Sequence, residues 1–333
     1  MSDKAEAGVD LFCDVLTNPA FDAKEFAKER RLMLEAIKNQ EDSLSHVAFE
    51  KFQATLFKKH PYGLSLIGTN HSVKSISLNR VRRFYTGLMD PRNMVFCAVG
   101  DFEGESFLEM LSPRLLKIKP KRLLHPRLKA EASPTSIRKV EVKKEKMQAH
   151  LVLGFLGTTL ASPDRYAFEV ANNILSGQGG RLFLELRDKQ SLAYAVSSAL
   201  VEGIEPGFFS VYMGTEPRKL STALDGILKE LEKIRSEKVP ETELNRAKNY
   251  IVGNYDIDLQ RNSAVSSTLA FNELYGLGLA EFENYPKNEL YGLGLAEFEN
   301  YPKNIMKVTS DEVLEVARKY LTLDRYVLSV VQP

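Results

Sequence analysis

Two hydrophobic periods run through the chain. In the first third the helical period dominates. Residues 5–17 carry apolar positions on one face, and Asn18-Pro19 stops that helix. Asp22 then caps a long charged helix over 23–40. Residues 45–57 place Val47, Phe49, Phe52 and Leu56 at helical spacing. The sequence His60-Pro61-Tyr62-Gly63 reads as a loop. A helix follows over 78–89, then an apolar strand over 94–100, then a helix over 107–118.

Beyond residue 136 the two periods interleave. Residues 137–144 alternate polar and apolar, the pattern of an edge strand, and 149–155 is an apolar strand. Residues 163–175 form a helix with Tyr166, Phe168, Val170 and Ile174 inward. A short helix over 181–189, strands over 192–200 and 208–213, and an amphipathic helix over 218–236 come next. Pro240 opens another helix, with Glu241 and Glu243 in its first turn, running towards Tyr275. Residues 310–320 make the last helix and 326–331 the last strand. Strands and helices without regular βαβ alternation predict an α+β fold, one mainly antiparallel sheet with helices packed on it.

The stretch with the most chemistry is 177–198. Gly177, Gly179 and Gly180 give a turn after one helix. Arg187 closes the next helix and Tyr194 opens the following strand, seven residues on across a bend. A guanidinium and a phenol both donate hydrogen bonds, so the pair can hold a carbonyl or an oxyanion. The same residues also satisfy local preferences, since a helix C-terminus favours Arg and a strand favours Tyr. The glycines follow a helix rather than a strand, which is not the context of a dinucleotide fingerprint.

Composition narrows the classes. The 333 residues are 44% hydrophobic and 27% charged, ordinary for a globular protein with room for two cores. The net charge of +1 gives no general field for nucleic acid. No apolar run is long enough for a membrane span, and no signal peptide is expected at the start. Cys13 and Cys97 sit in apolar surroundings and read as free thiols. Between Arg114 and Lys146 stand twelve Lys or Arg against three Glu, punctuated by Pro120, Pro126 and Pro134. Without interleaved aromatics for base stacking, this run reads as an interdomain linker. Residues 272–287 recur identically as 288–303. An identical pair is a recent duplication or an assembly error rather than a solenoid, and its extra copy is expected to form a surface excursion.

The string Gly-Gly-Arg-Leu-Phe…Leu-Arg-Asp-Lys-Gln-Ser-Leu-Ala-Tyr at 179–194 resembles the signature of the C-terminal domain of the M16 (pitrilysin/insulinase-like) zinc metallopeptidases. Asn-Pro-Ala-Phe-Asp, Lys-Glu-Arg-Arg, His-Pro-Tyr-Gly, Gly68-Thr69 and Val-Gly-Asp resemble the second half of the family's N-terminal-type domain. The resemblance implies two M16-type α+β domains. Residues 1–118 would be the second half of the first domain, 119–135 a basic linker, and 136–333 the C-terminal-type domain. It also implies that Arg187 and Tyr194 reach a peptide substrate held at a zinc in another half, with Gly177, Gly179 and Gly180 beside it.

The family's zinc site needs a His-x-x-Glu-His helix and a later Glu, because i and i+4 histidines share a helical face and the Glu activates a zinc-bound water. The five histidines are His46, His60, His71, His125 and His150, and no two are four apart. On the matching helix Glu29 falls on the first glutamate, but Ala36 falls on the ligand position, with Glu35 about 100° around the helix. The expectation is that this chain binds no zinc and is inactive alone. It would complete a site whose zinc lies on a partner subunit or on a missing N-terminal part. The alternatives are a structural scaffold subunit of the same family, or a gene fragment with no catalytic role. Export is implied for bacterial relatives of this kind, with any signal lying in the missing part.

Overall fold

The computed structural model describes residues 4–116, 118–120, 128–277 and 295–333, with the backbone alone at 295–298. In chain order the first elements are α1 (Ala5–Thr17), α2 (Ala23–Asp42), α3 (Leu44–Leu56), α4 (Asn70–Ser75), α5 (Leu78–Leu88) and α6 (Gly104–Leu115). They are followed by β1 (Arg138–Lys143), β2 (Ala149–Leu156) and α7 (Arg165–Leu175), then a π-helical turn (Phe183–Lys189), β3 (Ala195–Val201) and β4 (Phe208–Thr215). The chain continues through α8 (Leu220–Ser236), α9 (Glu241–Asp258), α10 (Asn262–Leu274), α11 (Leu295–Lys307), α12 (Ser310–Tyr320) and β5 (Val327–Gln332).

The five strands form one sheet in the order β1-β5-β2-β4-β3. Only the β1–β5 pair is parallel, and β2 pairs antiparallel with β4 and β5, as β3 does with β4. The expected edge strand β1 takes an edge, and its outward residues are exposed in strict alternation. Central β2 is buried on both faces and accordingly almost wholly apolar. Leu151, Leu153 and Phe155 face a core with Phe168 and Ile174 of α7, Ile227 and Leu231 of α8, and Val313 and Ala317 of α12. Val152 and Leu156 face the other side, where Val47, Phe52 and Leu56 of α3 pack with Phe208, Val327 and Val331.

Two compact units result. One comprises residues 1–36, 69–127 and 257–299, and the other 37–68, 128–256 and 300–333. This division differs from a break at 118–136, because α3 buries its apolar face on the sheet of the second unit and so takes residues 37–68 with it. Glu131 reinforces the attachment by accepting from the backbone N–H groups of Lys59 and His60, at 2.7 and 3.0 Å. Burial works against the Glu131 charge, yet those donors hold its carboxyl below the usual range.

The first unit is helical among its described residues. Val9 and Cys13 of α1 pack on Leu111 of α6, and the Tyr85 hydroxyl donates to the Leu16 carbonyl at 2.7 Å. The strand expected over 94–100 forms no strand ladder with the described residues. Its Val95 and Phe96 stay partly exposed, since β-propensity makes a strand only where another strand accepts its backbone bonds. Cys13 is buried and Cys97 half-buried, and both are free thiols. The helix expected from 240 to 275 is two helices, α9 and α10. The last turn of α9 holds Asp256 and Asp258 and no basic residue, which opposes the helix dipole, and the chain turns at 259–261. Most of the duplicated pair, 278–294, and the linker residues 121–127 lie outside the described residues. No described helix is long and apolar enough to cross a membrane.

Candidate functional site

The 177–198 stretch lies wholly within the second unit. Helix α7 ends at Leu175, and the Gly180 N–H donates to the Gly177 carbonyl at 3.0 Å to form the turn. Gly177 has φ +77°, the left-handed conformation that glycine adopts at little cost. At Gly180 a Cβ would come within 2.1 Å of the Ser176 carbonyl oxygen, so no side chain fits. At Gly179 the nearest atoms belong to Arg246, 3.9 Å away. Ser176 fastens the turn to β3. Its hydroxyl donates to the Ser198 carbonyl at 3.0 Å and accepts from the Ser198 N–H at 3.3 Å.

The expected helix over 181–189 opens as an ordinary turn at Arg181 and Leu182 and widens into π geometry from Phe183. Leu182 and Leu186 are fully buried in the main core and Phe183 packs on it. Arg181 is pinned to Glu243 of α9 by two bonds, at 3.0 and 2.7 Å. Burial disfavours the Arg181 charge, but the Glu243 carboxylate outweighs this and keeps the guanidinium firmly protonated. Ser191, at φ 49°, turns the chain, and the Leu192 N–H donates back to the Leu186 carbonyl at 2.8 Å. The buried Thr215 hydroxyl donates to the Leu192 carbonyl at 2.5 Å, and the Tyr194 N–H to the Gly214 carbonyl at 2.9 Å. Regular β3 therefore starts at Ala195, three residues after the expected start, because these bonds shape the bend first.

Arg187 and Tyr194 flank this closed bend. Both side chains are exposed, Tyr194 to 54%. The Arg187 guanidinium lies over the Phe183 ring, 4.9 Å from its centroid, and makes no ion pair among the described residues. No hydrogen bond or ring contact joins the two side chains among the described residues; the backbone holds their shared bend. Such a pair can receive a polar group from outside, with a fixed positive charge and a neutral donor. Sequence reasoning missed Phe183, although its place four residues before Arg187 is a readable signal. It also missed the His150–Tyr212 pair, in which His150 Nδ1 and the Tyr212 hydroxyl are 2.9 Å apart.

The residues that the resemblance set at a zinc site do not form a donor set. Glu29 and Glu35 of α2 are exposed, Glu35 lies 4.0 Å from Arg31, and Ala36 has no donor atom. His60 is buried, and its Nδ1 accepts from the Tyr62 N–H at 3.3 Å. Among the described residues no three His, Cys, Asp or Glu side chains converge as metal ligands.

Two family descriptions match the chain: "Peptidase M16 inactive domain" over residues 75–251 and "Insulinase (Peptidase family M16)" over residues 1–70. The chain belongs to the M16 peptidase family. An uncharacterized zinc protease of Streptomyces coelicolor is 28% identical over 272 residues, covering 80% of this chain and 59% of that relative. The chain thus spans less than two thirds of that curated relative. Among solved structures, a protease from Helicobacter pylori superposes with a TM-score of 0.88 at 19% identity, over 99% of this chain and 77% of that one. The M16 inactive domain from Pseudomonas fluorescens gives 0.82 at 23% identity, over 99% and 76%. At these identities the structures show the shared fold.

Proposed function

We propose that this chain acts as the substrate-holding half of an M16-type metallopeptidase whose zinc is carried by another half. The observation that carries this reading is the bend at 186–194. It presents an exposed guanidinium without a carboxylate partner among the described residues, and an exposed phenol, on backbone that three hydrogen bonds hold in place. Placed against a peptide bound in the other half, Arg187 and Tyr194 would hold its carbonyl and offset the charge that develops on the oxygen during hydrolysis. Gly177, Gly179 and Gly180 would leave room beside it for an extended peptide. Water activation would be the task of the zinc-bearing half.

The test is reconstitution. The chain is mixed with an M16 half bearing the His-x-x-Glu-His helix, and cleavage of a quenched fluorescent peptide library is followed for each alone and together. Activity in the mixture alone is expected, with Tyr194→Phe and Arg187→Ala each lowering turnover by about a hundred- to a thousandfold, the range for removing one such stabilising donor. Stoichiometric zinc and chelator-sensitive cleavage by the isolated chain would overturn the reading. So would full activity of both variants in the mixture.

A further inference from the structure

We infer that Phe183 is a positioning residue for Arg187: its ring is the shelf that holds the guanidinium facing outward. The inference rests on the proposed role of Arg187 and adds the device that makes the role work. A free arginine side chain loses rotamer freedom when it binds, and that loss weakens binding unless the side chain is already held. Arg187 has no carboxylate among the described residues to hold it. The Phe183 ring provides the alternative, at 4.9 Å from the guanidinium carbon to the ring centroid, within reach of a cation–π contact. A carboxylate would hold the side chain too, but it would neutralise the charge that a substrate oxygen needs. An aromatic face orients the guanidinium and leaves its N–H groups open.

The local backbone supports this role. Phe183 packs on the main core between the fully buried Leu182 and Leu186, so its ring is anchored from below. The Arg187 carbonyl accepts from the N–H groups of Gln190 and Ser191, so the backbone beneath the guanidinium is also fixed. The widened turn spans Phe183 to Lys189 and contains both members of the pair. Widened turns of this kind inside helices are rare and cluster at functional sites.

Two readouts on the full chain test the inference. In the isolated chain, the side-chain protons of Arg187 are expected to carry an upfield ring-current shift in the NMR spectrum, assigned by its loss in Arg187→Lys. Phe183→Leu should abolish the shift and Phe183→Tyr should keep it. In the reconstituted pair, Phe183→Leu should lower turnover of the fluorescent peptides by about two- to fivefold, the scale of one partly exposed cation–π contact. Phe183→Tyr should restore the rate. In an Arg187→Ala background, Phe183→Leu should cost nothing further, because a residue that acts only through Arg187 has nothing left to position. Absence of the ring-current shift overturns the inference, as does an equal loss from Phe183→Leu with and without Arg187. If Arg187→Ala itself leaves turnover unchanged, the proposed function falls and the inference falls with it. If Arg187→Ala is damaging and Phe183→Leu is neutral, the inference alone falls.

Discussion

Replacing Phe52 by alanine tests whether α3 is part of the second unit's core. Phe52 is fully buried, and its ring meets Phe208 edge-on at 5.4 Å between centroids. The ring also fills the space over Gly154 of β2, where a Cβ would approach it to 2.6 Å. Neighbours Val47, Leu56, Val152 and Val327 belong to the same packed cluster and cannot collapse far into the gap. Deleting a buried Phe side chain in such a setting costs about 3–5 kcal/mol. For a unit of this size each kcal/mol lowers the midpoint by about 2–4 °C, so thermal unfolding followed by far-UV circular dichroism should shift down by about 6–20 °C. Gly154→Ala should be damaging in the native background, because its methyl group meets both the ring and the Phe209 carbonyl oxygen, at 2.5 Å. In the Phe52→Ala background its added cost should shrink, since the ring has gone and the carbonyl remains. A shift below about 2 °C for Phe52→Ala, the size expected of a surface substitution, would refute the assignment of α3 to this sheet.

Gly180→Ala should destabilise the chain strongly, because its methyl would meet backbone carbonyl oxygens at 2.1 and 2.6 Å, whereas Gly179→Ala should melt within about 0.5 kcal/mol of the native protein; paired thermal melts check both. Burial lowers the His150 pKa below its ordinary 6.5, so on acidification the unfolded chain takes up this proton before the folded one. His150 therefore contributes stability that is present above pH 6.5 and is lost as pH falls from there towards its depressed folded value. His150→Gln should flatten the melting temperature against pH in that window, and an unchanged slope would count against it. Deleting one copy of the repeat gives the same sequence whichever copy is removed, and it keeps the buried Ile305 and Val308 that fasten the end of α11 and the turn after it. The deletion should leave the melting temperature nearly unchanged.

Much of the fold was legible because local periodicity and local geometry agree. Phe49, Phe52 and Leu56 fall within about 60° of one another around a helix, and the apolar run at 149–155 reads as a buried strand, whatever they packed against. Arg187 and Tyr194 were legible as residues flanking one bend, since a helical pattern ends and a strand pattern begins there.

Other features depended on partners that sequence distance conceals. Residues 94–100 have the composition of a strand, yet a strand exists only when a neighbour takes up its backbone bonds, and no spacing within the segment reports that neighbour. The face that α3 covers was decided by Val152, Val327 and Val331, which lie about 100 to 280 residues further along the chain. The widened turn at Phe183 was fixed by the buried anchors Leu182 and Leu186 together with the backbone bond from Leu192, which close a loop that helix propensity alone would have run straight. Sequence thus determined which residues turn inward and which residue types stand at the bend. Tertiary structure decided what each apolar face meets and how Arg187 is held, because burial and hydrogen bonding are completed by residues brought together only when the chain folds.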